Sequence, residues 1–153
     1  VRKAIADVRA FMEAGGQKIR DLPEIPADES APVGERLSDT ARVLHTTAAW
    51  LAEVSKTSER AFRAWLIVSE VAELVDALAR EDVIDVADAL ADIDYVTIGT
   101  AIQFGIPHEK VWNTVQDSNM AKFPGGVAIR DVNGKIQKPP GWKPPDIAGV
   151  LGV

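Results

Sequence analysis

The run SERAFRAWLIVSEVAELVDALA at 58–79, followed directly by REDVIDVADALADIDYVTIGTAIQF at 80–104, decides the fold. Its first part repeats apolar side chains at helical spacing, and Ser58 with Glu59 supplies a cap and a first-turn acid, so a helix is expected over 59–79. Arg80, Glu81 and Asp82 leave room only for a short turn before a second helical pattern over 83–104. Two helices joined so tightly run antiparallel as neighbours. Gly105 is well placed to close the second of them in a left-handed conformation, and Pro107 suits the first turn of another helix over 108–121.

Outward from this pair the pattern stays helical upstream and changes downstream. Ile5, Val8, Phe11 and Met12 fall at helical spacing within 1–14, and Gly15 with Gly16 stops them. Pro23, Pro26 and Pro32, with the acidic Asp28 and Glu29 among them, mark an extended loop over 21–34. Ser38 or Asp39 then caps a helix over 40–54 that carries Val43, Leu44, Leu51 and Val54 on one side. Beyond 121, Phe123-Pro124-Gly125-Gly126 ends helical structure. Residues 127–138 read as a small β-hairpin with Asn133-Gly134 as its two-residue turn, and 138–153 as an irregular Pro-rich tail. The expected architecture is an all-α antiparallel bundle with a C-terminal β-hairpin, one domain across 1–153.

Bulk composition narrows the function. The 153 residues contain no cysteine, which removes disulfides and thiolate metal sites alike. The opening residues are amphipathic and charged, unlike a signal peptide, and no apolar run approaches the roughly 20 residues that span a bilayer, so a cytoplasmic protein with no membrane partner is expected. A net charge of −6, from 23 acids against 17 bases, argues against a nucleic-acid partner. It does not argue against a polyphosphate if a cation stands between the ligand and the protein's acids.

Those acids are patterned. Glu70 and Glu73, three residues apart, share one helix face. Asp85, Asp88 and Asp92, at i, i+3 and i+7, form a stripe on the next helix that continues into the apolar run 95–104. Because that run is apolar or small all round, its half of the helix is expected to be buried, with the carboxylates pointing inward. Like charges brought together out of water need a compensating cation. Oxygen ligands without Cys or paired His favour Mg²⁺ or Mn²⁺ over Zn²⁺. The competing reading is a solvated acidic face with no ligand.

Three segments carry a resemblance: Ser69-Glu70-Val71-Ala72-Glu73-Leu74, then 86–96 with its Ala-Asp-Ala-Leu-Ala-Asp core, then Ser118-Asn119-Met120-Ala121-Lys122. In order, spacing and helical context the chain resembles the MazG-like all-α NTP pyrophosphohydrolases, a superfamily that includes dimeric dUTPases, dCTP pyrophosphatases and phosphoribosyl-ATP pyrophosphohydrolase. The opening 11–17 and the tail 133–147 are similar to its single-domain house-cleaning branch. The resemblance implies Mg²⁺-dependent cleavage of a nucleoside triphosphate to monophosphate and pyrophosphate, with pyrimidine deoxynucleotides such as dUTP or dCTP as first choice, in a homodimer or a dimer of dimers.

Carried over position by position, it implies that Glu70, Glu73 and Asp92 hold the metal, with Glu70 or Glu73 orienting or deprotonating the attacking water. A further acid expected three residues before Asp92 is replaced by Ala89, so Asp88, or else Asp85, supplies that oxygen. Ser69 stands where many relatives have another Glu. Asn119 and Lys122 are expected to contact substrate; separately from the resemblance, Gln17 is a candidate for lining a base pocket, and Phe11 for the same pocket or for the core. Lys138 and Lys143 are within chemical reason as phosphate ligands, the alternative being solvated tail lysines. Residues 34–58 look like an inserted helix. Ser69 and Ala89 also keep open a catalytically degenerate nucleotide-binding or assembly module. A di-iron bundle would need Glu-x-x-His pairs, and the sequence has none.

Overall fold

The computed structural model describes residues 2–26 and 32–153; Asp28 and Glu29 of the expected loop lie outside the described residues. The described helices are α1 (Arg2–Ala14), α2 (Val33–Ser55), α3 (Glu59–Ala79), α4 (Val83–Gln103), α5 (His108–Met120) and the short α6 (Ile147–Leu151). The chain forms two compact units, Leu22–Phe104 in one, and Val1–Asp21 with Gly105–Val153 in the other. None of the helices is long and apolar enough to cross a membrane.

In the first unit α3 is central and packs against both α2 and α4. Among the described residues of this unit the buried side chains are all alanine: Ala41 and Ala48 on α2, Ala72 and Ala77 on α3, Ala89 and Ala101 on α4. Small residues let helix axes approach closely, so the unit is held by thin seams and by half-buried larger side chains such as Trp65 and Leu66. Arg63 adds a hydrogen bond from Nε to Gln103 Oε1, linking the start of α3 to the end of α4.

Two sequence expectations fail here for identifiable reasons. The helix expected over 40–54 starts instead at Val33, after Pro32, without a side-chain cap. Val33, Leu37, Ala41, Leu44 and Ala48 form a covered stripe at helical spacing that continues upstream, and its packing outweighs the cap signal at Ser38 and Asp39. Asp39 sits within the helix and pairs with Arg42 at 2.7 Å. The second failure concerns the apolar end of α4, where Tyr95 and Ile102 are 82% and 75% exposed. A helix that packs on one neighbour buries one face however apolar the others are.

The α3–α4 turn follows closed backbone logic. Glu81 N–H donates to Leu78 O (3.2 Å) and Asp82 N–H to Ala77 O (3.0 Å), which is a Schellman closure. Glu81 occupies the left-handed position, at φ 55°, that glycine usually takes. Asp82 then caps α4, its Oδ1 accepting from Ile84 N (3.0 Å) and Asp85 N (3.2 Å). The opposite end of α3 is capped as expected, by Ser58 accepting from Ala61 N.

In the second unit Asp7 ties α1 to α5. Its carboxylate accepts from Lys3 Nζ at 2.6 Å and Trp112 Nε1 at 2.9 Å, and Gln116 Nε2 donates to its carbonyl at 3.0 Å. The Lys3 hydrogen bond, then that of Trp112, holds the Asp7 carboxyl below its ordinary pKa. Phe11 meets the buried Phe123 edge to face at 5.0 Å.

The β-hairpin expected over 127–138 does not form: among the described residues there is no strand, only an isolated antiparallel bridge between Arg130 and Ile136. Gly134 N–H donates to Asp131 O, Asp131 N–H donates to Lys135 O, and Gly134 has φ 78°. This is a three-residue loop with glycine left-handed, rather than a two-residue Asn-Gly turn. The Asp131 side chain also takes the backbone donors of Asn133 and Lys135, each at 2.9 Å, local bonds that compete with a ladder. The tail is more ordered than expected, since Asp146 caps α6 by accepting from Gly149 N.

Candidate active site

Glu70 and Asp92 stand equally far, in residue count, on either side of the turn at Glu81, and antiparallel packing brings such positions level. Glu73 and Asp88 lie about one turn nearer the connection. The electrostatics follow this geometry. Glu70 is half-buried, and its carboxyl is pushed above its ordinary pKa, first by burial and then by the charges of Glu73, Asp92 and Asp88. Of the other four acids singled out from the sequence, three therefore act on Glu70 through their charge.

Asp85 is placed elsewhere. Its Oδ2 accepts from Arg80 Nη2 at 2.7 Å, and Arg80 also reaches Asp76 and Asp82, at 3.1 and 3.4 Å. Its charge is not among those that raise Glu70. By contrast, among the described residues neither a cation nor a hydrogen-bond donor is paired with the side chains of Glu70, Glu73, Asp88 or Asp92.

The two departures from the resemblance have structural explanations. Ala89 is 4% exposed, so this position packs while the exposed Asp88 beside it carries the charge. Ser69 Oγ donates to Trp65 O at 2.9 Å, so its hydroxyl serves the backbone of its own helix. The expected inward orientation is corrected too: Glu73, Asp88 and Asp92 are exposed, and Glu70 alone of the four is half-buried.

The donor set suits a hard divalent cation, with oxygen ligands only and an unrelieved like-charge field at Glu70. Among the described residues, however, no three His, Cys, Asp or Glu side chains close into a group that could hold a metal.

The other singled-out residues lie in the second unit. Asn119 and Lys122 meet at the end of α5, where Lys122 Nζ donates to Asn119 Oδ1 at 2.8 Å. Lys122 Nζ also lies 5.9 Å from the Phe11 ring centre and 5.8 Å from that of Trp142, and Lys138 Nζ lies 4.2 Å from the latter. Gln17 is exposed after the close of α1, its N–H bonded to Met12 O. Sequence reading undervalued Trp142, whose place in the Pro-rich tail gives no periodic signal. It also passed over Asn113, whose buried Oδ1 has no donor among the described residues.

Comparison with known proteins adds two findings. The model of the phosphoribosyl-ATP pyrophosphohydrolase family matches residues 37–119. That span begins early in α2 and so takes in most of the segment 34–58 that the sequence alone set apart as inserted. The chain is also similar to a crystal structure from Exiguobacterium sp. 255-15, of a protein provisionally named an NTP pyrophosphohydrolase. The match has 26% identity and a TM-score of 0.59, covering 97% of this chain and 94% of that one. No curated protein matches the chain.

Proposed function

This chain belongs to the phosphoribosyl-ATP pyrophosphohydrolase family of MazG-like all-α proteins, and we propose that it hydrolyses nucleoside triphosphates to monophosphate and pyrophosphate. The observation that carries this reading is the contrast along α3 and α4: four carboxylates without a paired cation, with the Glu70 pKa raised by burial and by its neighbours, beside three acids that share Arg80. Glu70, Glu73, Asp88 and Asp92 would hold Mg²⁺, or Mn²⁺ in its place. When bound, the metal supplies charge neutralisation at phosphate oxygens and acidifies water. Glu70 or Glu73 orients the attacking water and accepts its proton. Asn119 and Lys122 contact substrate, Lys122 as a point charge for phosphate, and Gln17 and Lys138 are further substrate-binding candidates. Pyrimidine deoxynucleotides such as dUTP and dCTP are the first substrates to try.

The exposed apolar side chains of Tyr95 and Ile102 on α4, and of Val43 and Trp50 on α2, support a homodimer or a dimer of dimers. Light scattering that gives the monomer mass at micromolar concentration would remove that part.

The deciding experiment is pyrophosphate release from each NTP and dNTP, and from phosphoribosyl-ATP, with Mg²⁺, Mn²⁺ or EDTA. Metal-dependent release from a subset of NTPs or dNTPs is expected. Release from phosphoribosyl-ATP alone would move the substrate to the family's namesake. No release from a folded sample would favour a degenerate nucleotide-binding module, a second reading kept by the backbone-bonded Ser69 and the packed Ala89.

A further inference from the structure

The tail sequence Lys138-Pro139-Pro140-Gly141-Trp142-Lys143 folds as a turn with a consequence for two cations. Trp142 N–H donates to Pro139 O at 3.0 Å, and Gly141 has φ 81°, the geometry of a type II turn with proline at its second position and glycine at its third. The turn brings Lys138 back over the Trp142 ring, at 4.2 Å from its centre. The indole is clasped in turn: Trp142 Nε1 donates to Ser118 O at 2.8 Å, and Ser118 Oγ donates to Lys143 O at 3.1 Å. Ser118 is buried on α5, directly before Asn119. Its reciprocal bonds therefore fix the indole beside the Asn119–Lys122 pair.

We propose that Trp142 is a positioning residue, gathering Lys122 and Lys138 into one binding site for the phosphate chain of the substrate. This rests on the assignment of Lys122 to substrate phosphate. Two ammonium groups near one another repel, and the negative face of an indole is a neutral surface that can attract both. Lys122 directs one donor to Asn119, leaving two free; Lys138 has all three free of hydrogen-bonded acceptors among the described residues. No carboxylate among the described residues forms an ion pair with either lysine, whereas Lys3 and Lys56 pair with Asp7 and Glu53. In a chain of net charge −6, two cations on one indole, neither paired with an acid among the described residues, suit a polyanion.

The test measures binding of inorganic tripolyphosphate by calorimetry at low ionic strength in EDTA, so that metal at the carboxylates contributes nothing. Wild type, Lys122→Ala, Trp142→Ala, Trp142→Phe and the Lys122→Ala/Trp142→Ala double variant are compared, each checked for a cooperative thermal transition. Trp142→Ala is expected to weaken binding about tenfold, and Trp142→Phe about threefold or less because the ring face is kept; added to Lys122→Ala, the Trp142→Ala change weakens binding by less than that tenfold, since only Lys138 is then left to position. With a nucleotide that is turned over, the same Trp142 change should raise KM and leave kcat within about threefold. Equal tripolyphosphate binding by wild type and Trp142→Ala, or none by wild type, would overturn the inference. Failure of the pyrophosphohydrolase reading is separate, since it appears as absence of turnover whatever tripolyphosphate does.

Discussion

The acids at the α3–α4 turn and those farther along the same two helices are alike in composition and differ in whether a cation is paired with them. Near the turn, Asp76, Asp82 and Asp85 share the guanidinium of Arg80. Farther along, Glu70, Glu73, Asp88 and Asp92 have only one another, and Glu70 records the repulsion. What separates the groups is one cation at the C-cap of α3, held where the Schellman turn reverses the chain. Acid spacing along a helix therefore does not identify a site by itself; what each carboxylate is paired with does.

Breaking the unpaired group should have the largest effect. Glu73→Gln or Asp92→Asn is expected to reduce metal-dependent pyrophosphate release by about 10²-fold or more, while Asp85→Asn stays within a few-fold. Equal losses at Asp85 and Asp92 in a steady-state assay would erase the distinction between the two groups.

Metal binding sharpens the comparison without turnover. Mg²⁺ at about 100 times its Kd should stabilise the fold by about 2.7 kcal/mol, read as a rise in Tm. Glu70 supplies the pH dependence. Its folded pKa lies above the ordinary 4.5, so the folded state binds the extra proton. Without metal, stability then falls as pH rises through the window just above 4.5, and the Mg²⁺-induced rise in Tm should grow across that window. A metal effect independent of pH there would detach Glu70 from the site.

Arg80→Ala should make the two regions alike. The freed acids at the turn lose their partner, Tm falls modestly, as for exposed ion pairs, and the stability becomes more sensitive to salt. Unchanged salt dependence would show that pairing with Arg80 does not set the acids of the turn apart.

The smaller effects are on stability. Glu81→Gly should stabilise by about 0.5–1 kcal/mol, because glycine adopts the left-handed conformation without steric cost. Glu70→Gln, measured without metal, should raise stability by a few tenths of a kcal/mol after allowance for solvent screening. Chemical denaturation resolves the first change, and a gain for Glu70→Gln that vanishes at acid pH identifies the repulsion as its source.

The sequence alone determined the α3–α4 hairpin, because Ser58, the apolar spacing, the three-residue turn and Gly105 are local signals that agree. Antiparallel register follows from the length of the turn, so the sequence also set Glu70 and Glu73 on the helix beside the stripe of Asp85, Asp88 and Asp92. Tertiary structure alone decided the rest. Asp85 has the spacing of its stripe but faces Arg80, and partner choice depends on where the turn directs a guanidinium. The apolar end of α4 stays exposed because burial depends on neighbours, and α3 is the neighbour it has. The segment 127–138 has hairpin composition, yet the Asp131 side chain takes the backbone donors of its own loop. Trp142 carries no periodic signal, and the contacts that give it a role arise when a tail folds against Ser118, 24 residues earlier in the chain. Signals within a few residues are written in composition and spacing; pairing across distance is set by the folded chain.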